Sequence, residues 1–145
     1  PAHPVTLAAR AGLGAAYAAN GQATEAIGEY KRTLADRERV QGASHRDVVA
    51  ARAHLAAAYR GAGRLKDAIR QYERALADSE RMLGAGDEET LAARCHLAAA
   101  YDTAGRHTDA VMVLRKALLD CEKYLGPNHQ MTQTIRANLD AAPPA

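Results

Sequence analysis

Two cysteines, Cys95 and Cys121, and six histidines are the side chains in this sequence best suited to nucleophilic or metal chemistry. A nucleophilic thiolate needs a base within hydrogen-bond reach, and Cys95 is followed directly by His96. Neighbouring residues on a helix project about 100° apart, so those two side chains diverge and form no nucleophile–base pair. Cys95 and Cys121 stand at neither a metal nor a disulfide spacing. His54 and His96 occupy equivalent positions, but two histidines without a third ligand make no zinc site. His107 reads as a solvated residue opening a helix. No GxxxxGK[ST] phosphate loop, nucleophile elbow or HExxH pair occurs. Neither catalysis nor a cofactor is expected of this chain.

The bulk properties narrow the remaining classes. Nineteen basic and 17 acidic residues leave a formal charge of +2, with the signs interspersed along the 145 residues. There is no basic block with interleaved aromatics, so nucleic acid is not an expected partner. The longest apolar runs, such as Leu97–Tyr101, are far below spanning length, and no membrane association is expected. Two widely spaced cysteines suit a reducing, cytoplasmic setting. The alanine and arginine content hints at a GC-rich bacterial gene. Pro1 at the start and Pro143–Pro144 near the end suggest a segment of something larger, residues 143–145 forming a tail.

The elements that must position these side chains are set by a repeat. "HLAAAY" occurs at His54–Tyr59 and again at His96–Tyr101, 42 positions on. The same shift aligns Tyr17, Tyr59 and Tyr101; Gly21, Gly63 and Gly105; Leu34, Leu76 and Leu118; and Gly42, Gly84 and Gly126. Leu65, Ala68, Ile69, Tyr72, Leu76 and Leu83 recur at three- and four-residue steps, the mark of one amphipathic helix. Gly63 in "RGAGR" ends the helix before it and lets the chain reverse. Asp87 offers an N-cap, and Pro4 after His3 suits a first helical turn. The expectation is all-α: helices near 4–19, 22–41, 46–61, 64–83, 88–103, 106–125 and 129–141. They would form repeats at about 3–44, 45–86 and 87–128 and a half-repeat at 129–142. Such thin hairpins must bury their apolar faces on one another.

The order Leu55-x-x-x-Tyr59, Gly63, Ala68, Tyr72 and Ala75 resembles the tetratricopeptide motif. The 42-residue period and "LGPNH" at Leu125–His129 are similar to the kinesin-light-chain type of that repeat, a type found in bacterial proteins next to signalling ATPases. The resemblance implies an α-α superhelix of three helical hairpins and one extra C-terminal helix, over residues 1–142. It also implies a concave wall, built by the first helix of each pair, that takes a peptide or partner segment. Carried over position by position, that groove holds Ala11, Ala15, Ala53, His54, Ala57, Arg60, Cys95, His96, Ala99, Asp102 and Asn138. Arg60 and Asp102 are its expected polar readers. Arg10, Arg52, Arg94 and Arg136 form a ladder at the same period. A turn centred near residue 43 pairs Asp36 with Arg52, Asp78 with Arg94 and Asp120 with Arg136, and leaves Arg10 free. The functional expectation is a scaffold for a protein or peptide partner. The alternatives are a structural module that self-associates, or a sensor arm of a larger signalling ATPase.

Overall fold

The computed structural model describes residues 4–42 and 45–142, with the side chains of 4–6 set aside. His3, Pro143 and Pro144, read above as boundary residues, lie outside them. The described residues form seven helices and no strand: α1 (Pro4–Ala19), α2 (Ala23–Gln41), α3 (Arg46–Gly61), α4 (Leu65–Leu83), α5 (Glu88–Thr103), α6 (His107–Tyr124) and α7 (Gln130–Asp140). Each boundary falls within one residue of the position expected from the repeat.

Local chemistry explains the boundaries. Asp87 accepts a hydrogen bond from the Glu89 amide at 2.9 Å, capping α5. One period to either side the cap is a histidine: Nδ1 of His45 accepts from Asp47 N and Nδ1 of His129 accepts from Met131 N, both at 3.1 Å. An imidazole nitrogen here does what a carboxylate oxygen does at Asp87, satisfying one amide that the first turn leaves without a partner. At the other end of α5, Gly105 adopts φ +78°, and the Arg106 amide donates back to Tyr101 O at 2.8 Å. A side chain at that φ would be strained, which fixes glycine there.

By its contacts the chain divides into two compact units, Pro1–Asp78 and Ser79–Ala145, with the division falling inside the 45–86 stretch. In the first unit α2 packs against both α1 and α3, and Ala26, Val48, Leu55, Ala56 and Tyr59 are buried. In the second unit α6 packs against α5 and α7 around Leu91, Ala117, Cys121 and Ile135, all fully buried. Burying a leucine or isoleucine side chain of this kind contributes about 1.5–3 kcal/mol. The small side chains between them let helix backbones approach closely.

The arginine ladder is present with a different register. Arg52 Nη2 bonds Glu38 Oε1 at 2.5 Å, Arg94 Nη2 bonds Glu80 Oε1 at 2.8 Å, and Arg136 Nη2 bonds Glu122 Oε1 at 2.7 Å. The expected pairs Asp36–Arg52 and Asp120–Arg136 are not formed. Arg94, expected on Asp78, takes Glu80 and Asp120. The aspartates serve the arginine of the helix before them: Asp36 binds Arg10, Asp78 lies 3.7 Å from Arg52 Nε, and Asp120 binds Arg94. Arg10, expected free, is therefore paired, and Glu29 lies 3.9 Å from its Nε. Aspartate and glutamate are two residues apart on one helix, so they project about 200° apart. One faces back and the other forward, and the midpoint of each Glu–Arg pair falls on the N-cap residue His45, Asp87 or His129.

Candidate binding grooves

The first helices of the pairs carry the groove residues read from sequence. On α1 and α3, Ala15, His54, Ala57 and Arg60 are exposed and Ala11 and Ala53 are half-buried; on α5 and α7, His96, Ala99, Asp102 and Asn138 are exposed and Cys95 is half-buried. An alanine-rich helix leaves its neighbours' larger side chains to shape any depression above it. Each unit has one such depression among its described residues.

In the second unit a cavity of about 360 Å³ opens between α5, α6 and α7. It brings together four of the expected residues, Cys95, Ala99, Asp102 and Asn138, with Val111 and Leu114 from α6 closing the side. Cys95 packs against the Leu91 core, where burial first and then the neighbouring Cys121 push its thiol above the usual range. Both cysteines are free, and the protonated Cys95 is a small apolar wall residue. Asp102, at the end of α5, is hydrogen-bonded to Nδ1 of His107, the first residue of α6. His107 thus has a defined partner and is more than a solvated helix end. The next cation, Arg106, is directed elsewhere: Nε bonds Asp109 at 2.8 Å and the guanidinium lies 4.4 Å from the centre of the Tyr101 ring.

In the first unit a cavity of about 230 Å³ lies between the end of α1, the start of α2 and α3. Of the expected residues it gathers His54 and Ala57, with Ala18, Ala26 and Tyr30 around them. The Tyr30 ring stands 5.8 Å from that of His54, tilted by 33°. It also occupies the space over Gly14, where an added Cβ would meet Tyr30 Cε1 at 3.0 Å. The glycine inside α1, a departure from the other copies, makes room for that ring. Desolvation, and then the charge of Arg37, lower the His54 pKa, so the neutral imidazole is favoured.

Ala11, Ala15, Ala53, Arg60 and His96 do not line either cavity. Arg60 makes no ion pair among the described residues and acts on Tyr72 through its charge. Val111, Leu114, Tyr30 and His107 were not singled out as groove residues from sequence. Their signal was present: Leu114 and Tyr30 lie 84 residues apart, two periods, as do Asn138 and His54. The two cavities are therefore the same structural position in two copies of one scaffold. Among the described residues no group of three or more His, Cys, Asp or Glu is arranged to hold a metal ion, and no helix is long and apolar enough to cross a membrane.

A sequence model of the tetratricopeptide repeat matches residues 5–81 and again 50–118. Among solved structures, the chain is similar to the nearly identical TPR-like repeats of a protein from Podosopora anserina described as a kinesin light chain. It is 28% identical to a form carrying a single substitution (TM-score 0.87) and 26% identical to a second crystal structure (TM-score 0.83), each over 97% of this chain. BtubC (BKLC) from P. vanneervenii shares the fold at 16% identity, with a TM-score of 0.72 over 96% of the chain. The chain spans 66% of the length of each of these structures. No curated protein matches it.

Proposed function

We propose, for a chain that belongs to the tetratricopeptide repeat family, a protein-binding scaffold in which the cavity of each unit by itself seats a side chain of a bound segment. Tetratricopeptide repeats generally mediate protein–protein interaction and are typically non-enzymatic, and the kinesin-light-chain-like neighbours are of that kind. The observation that carries the finer reading is the recurrence of one depression at an 84-residue offset, on the helices that the family resemblance makes a binding wall. Apolar floors of alanine, cysteine and leucine with a few polar groups on the rim are what a side-chain pocket needs. Small residues on the first helices leave room for a backbone to lie against them. The bound segment comes from another protein, and the setting is cytoplasmic.

The test plugs each cavity without adding charge. Ala57→Trp and Ala99→Trp place an indole over an exposed floor position in the first and second unit respectively. Cross-linking and mass spectrometry of partners captured by the wild-type chain should map cross-links around both cavities. Each plugged variant should lose its own set while its melting curve stays unchanged. Partner capture untouched by both plugs in folded protein would place binding on another surface.

A further inference from the structure

We infer that the second unit's groove selects a partner segment carrying a lysine or arginine close to an aliphatic residue, with Asp102 as the reader of the cation and His107 as its built-in competitor. This rests on the groove reading above and adds the chemistry of the occupant. The two grooves share a frame: Ala26 and Ala110 are equivalent, as are Ala57 and Ala141. They differ where function would be written. Ala18 becomes Asp102, Ala23 becomes His107, Tyr30 becomes Leu114 and His54 becomes Asn138. Losing the tyrosine accompanies the larger volume, and an aliphatic floor takes the place of an aromatic one. Gaining the aspartate puts a carboxylate at a rim position that in the first unit carries the Ala18 methyl group.

The Asp102 side chain is 61% exposed and its partner, His107, is 55% exposed. Among the described residues no other charged side chain lines the cavity: the neighbouring Arg106 holds Asp109, and the α7 wall presents the uncharged Asn138, Ala141 and Ala142. A carboxylate held by one open imidazole can exchange that partner for a stronger, permanently charged donor from outside. The exchange breaks one hydrogen bond to Nδ1 of His107 and forms one from the incoming ammonium or guanidinium, so no proton need be lost. An acidic segment is disfavoured by Asp102, and the floor of Cys95, Ala99, Val111 and Leu114 gives an aliphatic side chain apolar contact.

The experiment uses phage-displayed random dodecapeptides selected on the whole 145-residue chain, with the enriched peptides then labelled with fluorescein and titrated by anisotropy. Enriched sequences should carry Lys or Arg within about three positions of Leu, Ile or Val. Asp102→Asn should weaken them about fivefold, the upper range for a partly exposed ion pair. His107→Ala, which removes the competitor, should tighten them about twofold, and Ala99→Trp should abolish binding. Peptides lost on Ala99→Trp but lacking basic residues, or indifferent to Asp102→Asn, overturn this inference and leave the groove standing. No enriched peptide, or binding indifferent to Ala99→Trp, overturns the groove reading itself.

Discussion

Replacing Arg94 with methionine tests how the repeats are held. The arginine side chain is 3% exposed, with Glu80 Oε1 2.8 Å from Nη2 and Asp120 on Nη1. Burial works against the cation, but hydrogen bonds from it to Glu80 and Asp120 outweigh that and raise its pKa. Arg94→Met keeps much of the stem and removes both charge-assisted bonds, leaving Asp120, only 14% exposed, without its main partner. Breaking a buried pair in this way costs about 3–5 kcal/mol, most of it from the carboxylate left behind. Arg136→Met is the internal control: Arg136 and Glu122 are 42% and 40% exposed. An exposed pair contributes about 0–1 kcal/mol. Urea titration followed by circular dichroism should therefore show Arg94→Met far less stable than Arg136→Met. Adding Asp120→Asn and Glu80→Gln to Arg94→Met should recover a large part of the loss, because no buried charge then remains unpaired. Equal losses at the two positions, or a triple variant no better than the single one, would refute the account of Arg94 as a buried clamp.

Other positions give contrasts of the same kind. The Thr90 hydroxyl is fully buried and finds no hydrogen-bond partner among the described residues, whereas Val48 holds the equivalent position one period earlier. Thr90→Val should gain about 1 kcal/mol, while Thr132→Val, which removes the 2.8 Å bond to Gly126 O, should lose a similar amount; paired urea titrations measure both. Gly12 lies inside α1 with open space around its Cβ position, so Gly12→Ala should stabilise the chain by about 0.5–1 kcal/mol, read as a higher melting temperature. The folded state lowers the His54 pKa, so as the pH falls through about 6.5 the unfolded chain takes up the proton first. The stability is present above that value and is lost as the pH falls toward the lowered folded one. His54→Asn, the residue found at the equivalent position 138, should flatten the difference in stability between pH 7.5 and pH 5.

The seven helices were legible because two independent signals, an apolar stripe and a helix-ending glycine, recur at one period. Leu65, Ala68, Ile69 and Tyr72 mark the buried stripe, and Gly63 marks where the preceding helix must stop, all at a period repeated through the chain. The ion-pair partners were not legible to the same degree. A carboxylate displaced by two residues points to the opposite side of its helix, and moving the assumed centre of a turn by one residue is enough to exchange Asp36 for Glu38. Sequence spacing fixes which helices are neighbours more firmly than it fixes which side chains meet. His45 and His129 were missed as caps because histidine is outside the usual capping set, and only the backbone geometry shows Nδ1 taking the place of the Asp87 oxygen.

The grooves needed both kinds of information. Periodicity alone ranks Ala15 with Ala99 and Ala53 with Cys95, because all are small residues at matching helical positions. Which of them floor a cavity depends on the side chains that α2 and α6 extend over them. Tyr30 fills space above Gly14 in the first unit, and Leu114 leaves more open in the second. What the period does supply is a reference against which substitutions stand out. Residues kept at each copy, such as Ala26, Ala68 and Ala110, are buried and answer to packing. Residues that vary from copy to copy on an open rim, Asp102 and His107 against Ala18 and Ala23, have no packing reason to differ, because methyl groups suffice there in the first unit. That is why the departures from the repeat, more than the repeat itself, carry the argument for what the second groove binds.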